Sequence, residues 1–338
     1  MAAMDPSGSI GRAKAETKDA MANRLVRRGC ELGVTDGVES ITFARASQLT
    51  SRTGSPNGRL VLGLGAYPPE VREEALEANR ANWDERTPIH LASQFYDIDG
   101  WIADGRGPRH WEVEALGDVG GLSLLHLQCH IGLDTLAWAR AGASVTGLDF
   151  SPRAIEAARD IAGRAGLDRC SRFVCSDVHR AVEVLGGETF DVVYVSLGAL
   201  CWLPSADAWA GQVGQLVRPG GRFYIHDVHP LAWAMADDEL EIAHTYFEQD
   251  EPFVDDSDVT YADGEARLTS VRSYEWNHGI GEVVTALIRH GLSLVWLAEH
   301  DWTVWRRWPF LEPTGDGRWR LPADRPSVPL TFSLLARR

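Results

Sequence analysis

Leu122-Ser-Leu-Leu-His-Leu-Gln-Cys-His-Ile-Gly-Leu-Asp-Thr-Leu-Ala-Trp-Ala-Arg140, followed closely by Ser144-Val-Thr-Gly-Leu-Asp-Phe-Ser151, is the stretch on which the fold turns. Leu122–Gln128 is a short apolar run that reads as a strand. Leu133–Arg140 reads as a helix that Gly142 can stop in the left-handed conformation. Ser144–Leu148 is a second strand. Ser151 is placed as an N-cap with Pro152 at the first helical position, which opens a helix running through Ala165 to Gly166.

Downstream the alternation continues. Arg172–Cys175, Phe190–Ser196 and Arg222–His226 read as strands three to five. A helix over Asp207–Val217 and the turn Arg218-Pro-Gly-Gly221 lie between the last two. Strands alternating with helices at this spacing imply βαβ units and a parallel sheet. The rhythm breaks after His226, so residues 227–279 read as an insertion. It resumes with a helix (Gly281–His290) and two strands (Leu292–Glu299 and Pro329–Leu335).

Upstream, residues 70–116 show a helical pattern, with Val71, Ala75, Ala78 and Trp83 near a 3.6-residue period. They are expected to form a helical cap, and residues 117–338 the main domain. Residues 1–69 are rich in Arg and Lys and broken by Gly/Ser/Thr stretches such as Ser51–Gly58; they read as a loosely ordered extension with one short helix near Ala13–Leu32.

The 338 residues carry a formal charge of −15, which opposes an extended nucleic-acid surface and makes a small molecule the expected partner. No unbroken apolar run reaches the roughly 20 residues of a membrane span, and Met1–Asp19 has no apolar core of a signal peptide. A cytoplasmic protein is expected. The five cysteines (Cys30, Cys129, Cys170, Cys175, Cys201) include no C-x-x-C pair, against a disulfide framework or a structural zinc site.

In an open parallel sheet, ligands bind beyond the carboxyl ends of the strands where the strand order reverses. That gathers the loops after Gln128, Leu148, Cys175, Ser196 and His226 around one cleft. Gly132, lacking Cβ, lets a ligand approach the loop backbone. Asp149 ends the second strand, where a carboxylate can accept from both hydroxyls of a ribose. Asp177, after the third strand, is placed to meet an adenine amine.

At these residues the chain resembles the class I S-adenosylmethionine-dependent methyltransferases. Leu125-His-Leu-Gln-Cys-His-Ile-Gly-Leu-Asp-Thr-Leu136 is similar to their glycine motif, Gly147-Leu-Asp-Phe-Ser151 to their acidic motif, and Leu216-Val-Arg-Pro-Gly-Gly-Arg222 to the turn before strand five. The resemblance covers about Trp111–Arg338. It implies a Rossmann-like, mostly parallel seven-stranded sheet and S-adenosyl-L-methionine as cofactor. It also implies methionine contacts at Gln128, Cys129, His130 and Gly132, ribose at Asp149, and adenine near Phe150, Asp177 and Val178. Ser196 borders the same cleft, and Trp83 and Tyr96 are placed to cap it. Two departures stand out: His126 occupies the place of the usual acid ending strand one, and Gln128 and His130 fill slots that usually hold glycine. A nicotinamide-dependent oxidoreductase is the competing class, but G-x-G-x-x-G is absent.

Methyl transfer is an in-line displacement that demands alignment and exclusion of water, and no metal. A hydroxyl or amine acceptor also calls for a general base. The candidates are His229, Glu275 and His278, with His226, Asp227 and Glu282 nearby. Trp202, Trp233, Trp276, Trp296, Trp302, Trp305, Trp308 and Trp319 fall in the part expected to wall the acceptor, which suits an aromatic or apolar metabolite. An indole carbon in a tryptophan-derived diketopiperazine is one such acceptor. A fold that binds the donor without transfer is the non-enzymatic alternative.

Overall fold

A computed structural model describes residues 69–338; the readings for residues 1–68, including the helix near Ala13–Leu32, lie outside the described residues. Three helices come first: α1 (Pro69–Ala92), α2 (Ile98–Asp104) and α3 (His110–Leu116). The alternating part follows as β1 (Ser123–Leu127), α4 (Leu133–Arg140), β2 (Ser144–Asp149), α5 (Pro152–Arg164), β3 (Ser171–Cys175), α6 (Ala181–Val184), β4 (Phe190–Ser196), α7 (Ala206–Leu216) and β5 (Val217–Val228). The insertion holds α8 (Pro230–Ala234) and the antiparallel pair β6 (Phe253–Asp255) and β7 (Ser273–Glu275). α9 (Ile280–Arg289), β8 (Ser293–His300), β9 (Trp302–Thr303), β10 (Glu312–Pro313), β11 (Trp319–Arg320) and β12 (Thr331–Arg337) complete the chain.

The main sheet has the order β3-β2-β1-β4-β5-β12-β8. Its first five strands are parallel, and β12 runs antiparallel to both neighbours. This is the seven-stranded Rossmann-like sheet expected from the sequence. The small sheet β10-β11-β9 was not legible there, because its strands are only two residues long.

Strand alternation sorts the core into two layers. Leu125, Leu127, Val193, Val195, Phe223 and Ile225 pack with Trp209, Val213, Ala286 and Leu287 of α7 and α9. Leu124, Val192, Tyr194 and Tyr224 pack on the other face with Leu116 and Trp138. Local signals set the boundaries. The Ser151 hydroxyl accepts from the Ala154 N–H at 3.0 Å with Pro152 in the first turn, and α5 buries Ala154, Ile155, Ala158, Ile161 and Ala162 along one face. Gly142, at φ 94°, closes the turn after α4.

α1 is fastened to the insertion by its own polar face. Asn79 donates to the Tyr274 carbonyl at 2.8 Å and accepts from the Tyr274 N–H at 2.7 Å, and Asn82 donates to the Ser270 carbonyl at 2.7 Å. Glu85 accepts from the N–H groups of Thr269 and Ser270 at 2.8 and 2.7 Å. Pro88, inside the helix, cannot donate to the Asp84 carbonyl, which is met at 3.5 Å by the Arg153 guanidinium.

Gly132 also has a packing reason. A Cβ there would lie 2.8 Å from the Phe173 ring and 2.9 Å from the Ala158 methyl, so the missing side chain makes room for the β3–α5 packing, and φ is +79°. Gly132→Ala is expected to cost about 2–4 kcal/mol, from the left-handed penalty together with overpacking. Urea unfolding would measure it, and a loss below about 1 kcal/mol would contradict this packing account.

Candidate functional site

The order of the sheet reverses between β1 and β4, which opens a crevice at their carboxyl ends. The loop leaving β1 is held there in an unusual backbone. Gln128 and His130 sit at φ 57° and 51°, in the left-handed region that costs a side-chain-bearing residue about 1–2 kcal/mol. Three bonds hold it. The His130 N–H donates to Asp149 Oδ2 at 2.8 Å, the Cys129 N–H to the Leu148 carbonyl at 3.0 Å, and the Gln128 side-chain amide to the Ala199 carbonyl at 2.8 Å. Gln128 Oε1 remains buried with no partner.

Asp149, at the end of β2, also accepts from the Ser151 N–H at 3.0 Å. Burial pushes its carboxyl up to about 6 against the lowering effect of the N–H groups of Ser151, His130 and Phe150. Further donors would therefore be well received.

Above the loop lies a cap of rings. His130 Nε2 is 3.2 Å from His90 Nδ1, and its Nδ1 is 3.4 Å from the Tyr96 hydroxyl. His90 Nε2 is 2.6 Å from the Thr260 hydroxyl, so α1, the β1 loop and the insertion share one network. The Trp83 ring stands edge-on to both His130 and Trp202, with centroids 5.1 and 5.2 Å apart. Burial drives His90 down to about 2 and His130 to about 3, so both imidazoles are neutral. Trp83 and Tyr96 are thus both gathered over the loop.

Other donor-side residues differ in what they present. Asp177 accepts from the backbone and ring of His179, each at 3.0 Å. The side chains of Cys129 and Val178 point into core clusters, and only their backbones can face the crevice. Phe150 is partly buried, and its carbonyl accepts from the Cys175 thiol at 3.7 Å. The Ser196 hydroxyl is 3.1 Å from His126 Nε2, while His126 Nδ1 meets the Thr135 hydroxyl at 2.8 Å. His126, pushed down to about 4 by burial, is a neutral strut where an acid would be charged.

On the acceptor side the acid and base candidates separate. His229 caps α8 through its Nδ1, which accepts from the Leu231 N–H at 3.0 Å, and its Nε2 is 2.8 Å from Glu299. His278 is occupied at both nitrogens, by Glu248 at 2.7 Å and the Leu203 carbonyl at 2.8 Å. Glu282 accepts from the Gly279 and Glu248 N–H groups. Asp227 accepts from the N–H groups of Gly198, Ala199, Leu200 and Val228, and so shapes the turn after β4. His226 is fully buried, with Trp111, His300 and Trp302 around it.

Glu275 keeps a carboxylate with no ion pair or side-chain hydrogen bond among the described residues. Burial and the Asp255 carboxylate push it up to about 7, against the pull of Arg86 and Arg307. Of the tryptophans, Trp202 and Trp233 lie on this side, where they stack with Arg86 and Arg307 respectively. Trp302 and Trp308 are buried in packing, and Trp276 is buried against Ala75 and Tyr274. Arg86, His90 and Tyr261 belong to the site but were not among the expected residues.

A family profile described as a methyltransferase domain matches residues 125–223, the span from β1 to β5 that builds this crevice. Over that span the chain is similar to the methyltransferase domains of the class I fold. Over 136 residues the methyltransferase segment is 34% identical to a ubiquinone biosynthesis O-methyltransferase of Methylocella silvestris, covering 40% of this chain and 47% of that protein. It is 30% identical over 105 residues to a sterol 4-C-methyltransferase of Caenorhabditis elegans, covering 31% and 30%. The chain spans about half the length of these ubiquinone biosynthesis O-methyltransferase relatives. The CcbJ methyltransferase of Streptomyces caelestis shares the fold, with a TM-score of 0.50 at 17% identity over 76% of this chain and 98% of that one. The cofactor of the family is S-adenosyl-L-methionine. Among the described residues, no helix is long and apolar enough to cross a membrane.

Because Asp227 satisfies several backbone donors of the turn after β4 at once, Asp227→Ala is expected to destabilise the methyltransferase domain by about 3 kcal/mol. Asp227→Asn should cost less, since its side-chain oxygen can still accept. Equal losses from both in thermal unfolding would show that these bonds do not hold the turn.

Proposed function

We propose that the protein transfers a methyl group from S-adenosyl-L-methionine to a small molecule with a flat, largely apolar body. The observation that carries this reading is the left-handed loop at Gln128 and His130, tied to the Asp149 carboxylate. Two side-chain-bearing residues are kept in glycine-like conformations at the point where the sheet can receive a nucleoside.

The residues present fit that donor. Asp149 keeps lone pairs for the two ribose hydroxyls, and the orphaned Oε1 of Gln128 can accept from the ammonium of the amino-acid tail. Phe150, Asp177 and the Val178 backbone are positioned to edge the adenine. When bound, S-adenosyl-L-methionine supplies an electrophilic methyl group on a sulfonium sulfur. The neutral His90 and His130 add no charge that would repel that sulfonium. The ring cap excludes water, and Trp202 and Trp233 offer faces for a flat acceptor. Glu275 accepts the proton as the acceptor atom bonds to carbon and the carbon–sulfur electron pair returns to sulfur. An indole carbon in a tryptophan-derived diketopiperazine is the narrower form of this reading. It is tested by incubating labelled donor with such compounds and looking for label in product.

Calorimetry with S-adenosylhomocysteine tests the donor site. Asp149→Ala is expected to weaken binding by about 10²–10⁴-fold, from two lost charge-assisted hydrogen bonds. Unchanged affinity would remove Asp149 from the site.

Glu275 gives a signed pH dependence. Its carboxylate is the base, so turnover should rise as pH climbs through about 7. Glu275→Gln should flatten that rise and lower turnover by about 10²–10⁴-fold. A raised carboxyl pKa in the folded state also means that folding stability falls as pH climbs from the unfolded value toward 7, so Glu275→Gln should be the more stable protein at pH 8. A pH profile shared by parent and variant would assign the base elsewhere.

A further inference from the structure

Arg86 is a buried cation without an anion. Its side chain is on the inner face of α1 and only 7% exposed, yet no carboxylate lies within ion-pair distance among the described residues, and its Nε has no hydrogen-bond partner. Its guanidinium carbon lies 5.3 Å from the Trp83 ring centroid and 5.9 Å from that of Trp202. Trp83 Nε1 is likewise buried and unpaired, so two unused donors share one aromatic slot. Two tryptophan faces soften the cost of such burial but leave the guanidinium donors unsatisfied.

We propose that Arg86, set beside the Trp83 and Trp202 rings, is the receptor for a carboxylate carried by the acceptor, which makes the acceptor a small aromatic acid. This rests on the methyltransferase reading above and deepens it. A guanidinium is a planar fork matched to a carboxylate, and the flanking indoles accept the flat body to which that group is attached. The free Oε1 of Gln128 answers to the ammonium of the donor's tail, so the donor's own carboxylate is the rival anion for Arg86 that the test must separate. Arg86 interacts electrostatically with His90 and His130 of the ring cap and with Tyr261, Glu275 and Asp255 of the insertion, so it stands where the cap meets the acceptor side. An acid bound there lies close to Glu275, which takes the acceptor proton.

The test uses the full chain saturated with S-adenosylhomocysteine, with indole-3-acetate and benzoate compared against their neutral amides by calorimetry. The parent should bind at least one acid about tenfold or more tightly than its amide, as expected for losing a charge-assisted hydrogen bond. That preference should vanish in Arg86→Gln and persist in weakened form in Arg86→Lys, which keeps the charge but not the fork. Equal binding of acids and amides by the parent overturns the proposal, as does a preference that survives Arg86→Gln. S-adenosylhomocysteine and 5′-methylthioadenosine, which lacks the amino-acid tail, separate the two sources of carboxylate. Unchanged affinity for both in Arg86→Gln supports the acceptor assignment. Loss for S-adenosylhomocysteine alone assigns Arg86 to the donor tail and overturns it. Failure of the parent to bind S-adenosylhomocysteine would instead sink the methyltransferase reading, a result distinct from either.

Discussion

The bond from the His130 N–H to the Asp149 carboxylate is the constraint from which the site is built. It joins the loop leaving β1 to the end of β2 and holds that loop in a left-handed backbone that neither Gln128 nor His130 would adopt alone. With the backbone so fixed, the His130 ring rises to meet His90, Tyr96 and Trp83, and the Gln128 amide reaches across to the turn after β4. One carboxylate thereby orients groups from α1, both central strands and the insertion. It remains buried enough that additional hydrogen-bond donors would stabilise its charged form.

Strain of this kind persists only where surrounding packing and hydrogen bonds over-determine it. Here the over-determination comes from two directions. Below, Gly132 and Gly147 let Phe173 and Cys129 pack tightly under the loop. Above, α1 is bound to the insertion by Asn79, Asn82 and Glu85, which seats the ring cap. The insertion is therefore part of the site rather than an appendage.

The alternating core was legible because it obeys simple periods: apolar strands of about five residues, helices opened by Ser151 and Pro152 and closed by Gly142 and Gly166. Asp149 and the loop from Gln128 were legible for the same reason, since their place follows from the ends of the strands. Arg86 and His90 were not. With Asn79 and Asn82 they fall at positions i, i+3, i+7 and i+11 of α1, all buried, and a search for apolar stripes passes over a buried face made of polar residues. His229 and His278 could not be separated from Glu275 by spacing either. Partners from distant segments, Glu299, Glu248 and the Leu203 carbonyl, occupy the histidines and leave the acid free.

The central claim is that a nucleoside is gripped at Asp149 beside the strained loop. A crystal structure grown with S-adenosylhomocysteine tests it most directly. Both ribose hydroxyls should lie about 3 Å from the Asp149 carboxylate oxygens, with Gln128 and His130 still at positive φ. A nucleoside bound elsewhere, or a loop that relaxes to negative φ when the ligand is in place, would contradict the account.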